Sequence, residues 1–415
     1  MQGNLNDPQP IQATKRLGSL DFLRGIAVLG ILVINIESFA YDDPWSPFKY
    51  GFDSAVDANT RFWVYFLAQG KFFSMFTLLF GVGFFMFLER LQGLGLKAMD
   101  IYARRLLWLF IFGVIHAYVI WDGDVLYHYA ICGFLLFPFR SFKLKQLMIT
   151  VLIFTGILFY NSYQNAKRIE FLHEQAILAQ RLPAEDRTGQ QAEDIEIWKK
   201  RTSKGIAVTD TATVRKSLVE SITINADHSG VHKGNILYPG ILFRTLIMMI
   251  LGIILYKTGI FSDIRNKKLY WSTTLLLFFV ALVINYLRYD HWTFHYFEPV
   301  ENVWQSWLFT LPKETLGVAY ILVLNGLYHQ VLKGKDLNPI SLAGRMALTN
   351  YIMQSIICAL IFYGYGFGRY NTFNRYELLF IVSGIWIFQL IASTWWMKTH
   401  KQGPLEALWR KLTYR

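Results

Sequence analysis

Apolar blocks of about 20 residues recur along the chain, separated by short charged clusters. At 1.5 Å per residue such a block forms a helix that crosses the ~30 Å hydrocarbon core of a bilayer. The pattern predicts helices at about 21–40, 61–88, 103–120, 125–139, 144–160, 236–256, 270–287, 304–328, 342–363 and 377–397. The second is long, with Gly70-Lys71 as the point where it would break. The fourth is short for a crossing, so the third and fourth form either two spans or a hairpin that dips into the membrane. Pro312, beside Lys313-Glu314, is expected to kink the eighth and open a polar cavity. The expected fold is all-α, a polytopic membrane bundle of about ten transmembrane helices.

Lysine and arginine set the direction of insertion. Segments 1–19, 89–105, 139–145, 257–268, 331–345 and 398–415 hold 21 of them, against 5 in 41–61, 121–124, 288–303 and 364–376. The side of the second set instead collects Glu37, Asp42, Asp43, Asp53, Asp57, Asp122, Asp124, Asp290, Glu298 and Glu301. The chain is therefore expected to be N-in/C-in. It has cytoplasmic tails at 1–19 and 399–415, membrane halves at 20–160 and 236–398, and an outer, periplasmic insertion at 161–235. That insertion holds 11 basic residues, but segments longer than about 60 residues translocate largely regardless of charge. Its stretches KRIEFLHEQAILAQRL and EDIEIWKKR carry helical spacing, so a small helical cap is expected. The first fifteen residues, MQGNLNDPQPIQATK, lack the apolar stretch of a signal peptide, which leaves the first helix as its own insertion signal.

Composition agrees. Of 415 residues 53% are hydrophobic and only 17% charged, against about 25% charged in soluble domains. The net charge of +12 sits at the ends of apolar blocks, which indicates topology and contact with anionic membrane lipids, not nucleic acid. Cys132 and Cys358 lie inside apolar segments and read as small core hydrophobes. No HExxH or close ligand pair suggests a metal.

An ionisable residue within a span is expensive, and so it is a functional candidate. In GVIHAYVIWDGDVLYHYAICG, residues 113–133, Asp-Gly-Asp forms a turn. His116 and His128 then lie ~8–10 Å below its tip, beside Asp122 and Asp124. A carboxylate that orients an imidazole makes a proton-transfer site. The plainer reading has His116 bonded to a carbonyl and the other three wetted at the interface. Lys71 lies in the second helix, Lys313-Glu314 in the eighth and Arg345 at the start of the ninth. Arg24 lies near the inner end of the first helix, level with Arg104, Arg105 and Arg140. Guanidinium suits phosphate oxygens; the alternative for Arg24 is snorkelling to headgroups. Asn35 sits ~16 Å further along and, with Glu37, reaches the half that holds His116. Gly81 and Gly83 are expected to let helices approach closely, and Thr349, Asn350, Tyr351 and Gln354 to bond between helices or hold a ligand.

LDFLRGIAVLGILVINIESF, FSMFTLLFGVGFFMFLER and RRLLWLFIFGVIHAYVIWDGDVLYHYAICGFLL together resemble the YeiB-like membrane proteins, a bacterial family labelled a domain of unknown function. GRMALTNYIMQSII and the tail GPLEALWRKLTY resemble the same family's second half, so the likeness spans nearly all of the chain except 161–235. That family is similar to a wider superfamily of transmembrane acyltransferases. The resemblance implies a bacterial cytoplasmic (inner) membrane protein. It also implies a cytoplasmic acyl-CoA donor, such as acetyl-CoA, with no tightly bound cofactor. The acceptor would be a small molecule, glycan or lipid bearing a hydroxyl or amine. Bacterial O-acyltransferases of the superfamily carry an Arg in the first helix and a basic His eleven residues later. Here Arg24 is kept and Asn35 stands at the His position. An amide cannot take a proton, so either His116 serves as the base or acyl transfer is lost. The acyltransferase reading gives Arg24, Arg104 and Arg105 the donor phosphates, and His116 the base, oriented by Asp124 or Asp122. Asn35 would then stabilise the oxyanion. A proton-coupled transporter lined by Lys71, His116, Lys313 and Glu314, or a non-catalytic envelope protein, are the alternatives.

Overall fold

The computed structural model describes residues 17–41, 54–91, 96–202, 217–229, 238–264, 266–294, 303–332 and 338–414. The expected outer acids Asp42, Asp43, Asp53, Glu298 and Glu301, and the tail 1–16, lie outside these. Among the described residues every element is helical. In chain order they are α1 (Gly18–Ala40), α2 (Ala55–Leu67), α3 (Lys71–Arg90), α4 (Leu96–Ile115), α5 (Leu126–Leu136), α6 (Leu144–Gln180), α7 (Gly189–Thr202) and α8 (Leu218–His228). Then follow α9 (Pro239–Lys257), α10 (Lys267–Phe294), α11 (Val303–Leu308), α12 (Pro312–Leu327), α13 (Pro339–Arg345), α14 (Ala347–Phe362), α15 (Arg375–Trp396) and α16 (Pro404–Tyr414).

Among the described residues eight helices are long and apolar enough to cross a membrane, or nine if α13 and α14 count as one span bent by 90°. The chain is thus a multi-span helical membrane protein, with fewer candidate spans than the ten predicted. The shortfall lies at α5, whose 11 residues reach ~16 Å, about half of the hydrocarbon core. A 3₁₀ turn, Phe137–Ser141, extends it. This arm nevertheless returns far along α4: Tyr102 Oη donates to Gly133 O at 2.6 Å, and Tyr102 and Phe137 rings lie 5.5 Å apart.

The second span breaks at Gly70, the expected point, where a φ of 76° suits glycine. Two other boundaries differ from the prediction. Pro312 does not kink the eighth helix; it starts α12 at the first position, where its missing N–H costs nothing. The fifth helix runs on to Gln180, so much of the predicted cap is a continuation of α6, with α7 packed along it.

α1 is apolar on all faces because it is enclosed on all faces; Leu23, Ala27 and Val28 are fully buried. It packs on α3, α13, α14 and α15. α3 and α9 touch backbone to backbone: a Cβ on Gly81 would fall 2.3 Å from Met249 O, and one on Gly252 2.2 Å from Leu78 O. With no water to drive helices together, such close packing and interhelical hydrogen bonds supply the adhesion. Gln354 Nε2 donates to Val28 O at 3.1 Å and to Gln389 Oε1 at 2.9 Å. Asn350 Nδ2 donates to Ala343 O and Ser393 Oγ. Two of the predicted polar groups on α14 therefore tie it to α1 and α15.

One end of the bundle is basic. There Lys257 Nζ donates to Phe142 O at 2.8 Å, and amphipathic α16 lies against α4 and α14. Glu406 caps the start of α14, accepting from Leu348 N at 2.7 Å, Thr349 N at 3.1 Å and Thr349 Oγ1 at 2.6 Å. This carboxylate satisfies helix N–H groups left without partners by the bend. At the opposite end lie the Asp-Gly-Asp turn and the end of α1, joined by Phe39 against Trp121, ring centroids 4.9 Å apart.

Candidate functional site

The turn of chain after α4 is π-helical from His116 to Ile120. Such turns are rare and often fall at functional sites. His116 begins it and is 1% exposed. Its Nδ1 lies 2.7 Å from Asp124 Oδ1. A carboxylate can only accept, so Nδ1 donates, and in the neutral ring Nε2 is the nitrogen with the lone pair. Asp124 is fixed in turn by Tyr127 N, which donates to Oδ2 at 3.1 Å. The hairpin arms meet at Gly113, where a Cβ would sit 2.2 Å from Tyr127 N and 2.9 Å from Asp124 Oδ2. His116 Nε2 is buried with no hydrogen-bond partner among the described residues. Its ring faces Tyr351 at 5.2 Å and Trp121 at 6.3 Å.

The structure separates the other hairpin groups. His128 does not join His116: its Nε2 donates to Thr245 Oγ1 of α9 at 2.9 Å, while that hydroxyl donates to Ile241 O. Asp122 does not orient His116 either. It faces His228 of α8, Oδ2 to Nδ1 3.6 Å. α8 closes over the π turn, and fully buried Asn225 donates to Tyr118 O at 3.2 Å.

Glu37 belongs to a second buried group that the sequence reading did not assemble. Its Oε2 accepts from Arg61 Nη1 at 3.3 Å and Tyr65 Oη at 3.0 Å, and Arg375 Nε lies 4.0 Å from Oε1. Arg375 also donates to Asp57, backbone N to Oδ1 at 2.7 Å and Nη1 to Oδ2 at 2.9 Å. Among the described residues, two carboxylates thus face two guanidiniums. These partners are too distant in sequence for spacing to have paired them. Asn35 is half-buried on α1 and makes no hydrogen bond among the described residues.

At the basic end Arg24 Nη1 lies 3.3 Å from Asp21 Oδ1, and Arg345 Nε 3.2 Å from Asp21 Oδ2. Arg24 is within electrostatic range of Arg105. The Arg105 guanidinium is held between the rings of Phe87 (4.6 Å) and Trp409 (3.8 Å), and Trp409 Nε1 donates to Arg105 O. Arg104, paired with Asp100 at 2.5 Å, lines a cleft of about 470 Å³ together with Lys97, Arg410, Lys411 and Tyr414. The basic residues of the tail were not predicted as part of this site.

Lys71 is fully buried; its Nζ donates to Tyr65 O at 2.9 Å and lies 3.9 Å from the Tyr289 ring centroid. Glu314 Oε1 accepts from Arg244 Nη1 at 2.9 Å. Neither residue touches the His116 pair.

Residues 255–415 match a family described as a protein of unknown function, DUF418. The chain is 29% identical to the uncharacterized protein YxaH of Bacillus subtilis, over 98% of this chain and 96% of that one. It is also 29% identical to the uncharacterized protein YeiB of Escherichia coli, over 96% of each. A third relative is the uncharacterized 39.9 kDa protein in the amylase 3′ region of Bacillus acidopullulyticus, 28% identical over 98% of this chain and 96% of that one.

Proposed function

The chain belongs to the DUF418 family of YeiB-like membrane proteins, and from that premise we propose that it is an inner-membrane acyltransferase, N-in/C-in, with His116 as general base. The observation that carries this reading is the buried His116–Asp124 pair, 2.7 Å apart, with Nε2 left without a partner. Asp124 fixes the tautomer, so Nε2 accepts a proton from an acceptor hydroxyl or amine. The acceptor oxygen or nitrogen attacks the thioester carbonyl, the new C–O or C–N bond replaces C–S, and the imidazolium returns its proton to the departing thiolate.

The donor's phosphates fit the basic end. Lys97, Arg104, Arg410 and Lys411 line the cleft there, and Asp100 pairs with Arg104 beside it. Twelve residues of α4 and its π turn separate Arg104 from His116, ~18 Å along the axis. A ligand that reaches both needs a charged head and a long thin arm, which is the shape of an acyl-CoA. The excess of lysine and arginine at this end supports a cytoplasmic location for it. Asn35 on α1 is the amide available to a developing oxyanion.

The test is binding followed by transfer. Acetyl-CoA should raise the melting temperature of the purified protein, and Arg104→Ala with Arg410→Ala should abolish the rise. Absence of any acyl-CoA binding by the intact protein would sink the proposal.

A further inference from the structure

Two buried polar atoms without a hydrogen-bond partner among the described residues lie on neighbouring rings. One is His116 Nε2; the other is Tyr351 Oη on α14, a residue 4% exposed. The two ring centroids are 5.2 Å apart and the rings are inclined at 51°, where α14 packs on the π turn. Four polar side chains fall on this stretch of α14, and the other three are bonded. Thr349 donates to Glu406, Asn350 to Ala343 O and Ser393, and Gln354 to Val28 O and Gln389.

Packing accounts for the Tyr351 ring, which shares a buried cluster with Val28, Ile31, Leu126 and Tyr129. It does not account for the hydroxyl. A phenylalanine would fill that space without the cost of burying an unpaired polar group. Nor do the neighbours take the phenol's proton. Asp124, Tyr127 and Tyr129 are within electrostatic range of it. Asp124 accepts instead from His116 Nδ1 and Tyr127 N, and Tyr129 Oη is bonded to Thr77. The backbone N–H of Val125 also lies close, and it can only donate.

We propose that Tyr351 Oη and His116 Nε2 together hold the acceptor of the acyl group, and that this acceptor is a hydroxyl, not an amine. The inference rests on the acyltransferase reading and narrows it. Nε2 takes a hydrogen bond, Oη–H gives one, and a hydroxyl meets both at a single oxygen. That oxygen has two lone pairs. One accepts from Tyr351, and the other attacks the thioester carbonyl as the O–H proton passes to Nε2. The C–O bond replaces C–S, the imidazolium protonates the thiolate, and the products are an O-acyl ester and a free thiol. An amine nitrogen has one lone pair, so when held by the same phenol it has none left for attack. Tyr351 thus selects oxygen over nitrogen.

The test supplies labelled acetyl-CoA to inverted membrane vesicles carrying the full-length protein and asks which bond holds the transferred label. Alkaline hydroxylamine, which cleaves esters and leaves amides, is expected to release it. Tyr351→Phe, which keeps the ring, should lower transfer about tenfold or more with acetyl-CoA binding retained. The same variant, purified, should melt no lower than the wild type, because the hydroxyl it loses has no partner. A structural role for the hydroxyl would lower the melting temperature instead. Label that survives hydroxylamine, full transfer by Tyr351→Phe, or a lower melting temperature in that variant overturns the proposal and leaves the acyltransferase reading standing. No transfer by wild-type vesicles removes both.

Discussion

His116 Nδ1 meets Asp124 Oδ1 at 2.7 Å across a hairpin whose arms touch at Gly113. The pair exists because glycine lets Asp124 approach α4, and because the π turn places the His116 ring toward it. Gly113→Ala is expected to destabilise the protein by about 1–3 kcal/mol, the usual range for overpacking. Denaturant or thermal melting in detergent checks this, and an unchanged midpoint would show that the arms have room to part.

The Glu37 group is predicted to be structural. Removing one partner leaves a buried charge uncompensated, which costs about 3–5 kcal/mol. Arg61→Met should therefore lower stability strongly, and the double variant Glu37→Gln/Arg61→Met should recover most of the loss. Melting of the two variants side by side distinguishes this from a simple packing defect, in which the losses would add.

Docking of the tail is expected to depend on pH through Glu406. Burial pushes its carboxyl above the ordinary value of 4.5, against the opposing hydrogen bonds from Thr349 and Leu348. A carboxyl raised in the folded state binds a proton more tightly there than in the unfolded chain. Its stabilisation is thus fully present below the ordinary value and is lost as pH rises through the folded one. Protease accessibility of α16 should fall as pH drops from neutral through that window. Glu406→Gln should flatten the profile and stay docked, whereas Glu406→Ala should release the tail at every pH.

Much of the bundle was legible because bilayer crossing imposes length and apolarity on the sequence itself. The His116–Asp124 pair was legible too, since only eight residues and a recognisable turn separate the two. His128 misled because equal depth does not mean equal face, and its partner Thr245 lies 117 residues away. The same limit hid Arg61 and Arg375 from Glu37. The bend at Met346 gave no local signal, because GRMALTN contains no proline. Tertiary contacts support it: a Cβ on Gly344 would fall 1.9 Å from Asp21 O, and Glu406 caps α14 from the tail. The overlong α6 could have been read directly, since helical spacing persists through KRIEFLHEQAILAQ until Pro183.

Asp124→Asn probes the tautomer of His116. An amide can donate to Nδ1, which would move the imidazole proton to Nε2 and remove the acceptor. Transfer should fall by about 10²–10⁴, with acyl-CoA binding unchanged. A parallel loss of binding would instead indicate that Asp124 only supports the hairpin.

The central claim is tested most directly by transfer of labelled acetyl from acetyl-CoA to envelope material in inverted membrane vesicles, wild type against His116→Ala at matched protein levels. The account predicts transfer by the wild type and a loss of about 10²-fold or more in the variant, with acetyl-CoA binding retained. Full transfer by His116→Ala would contradict it.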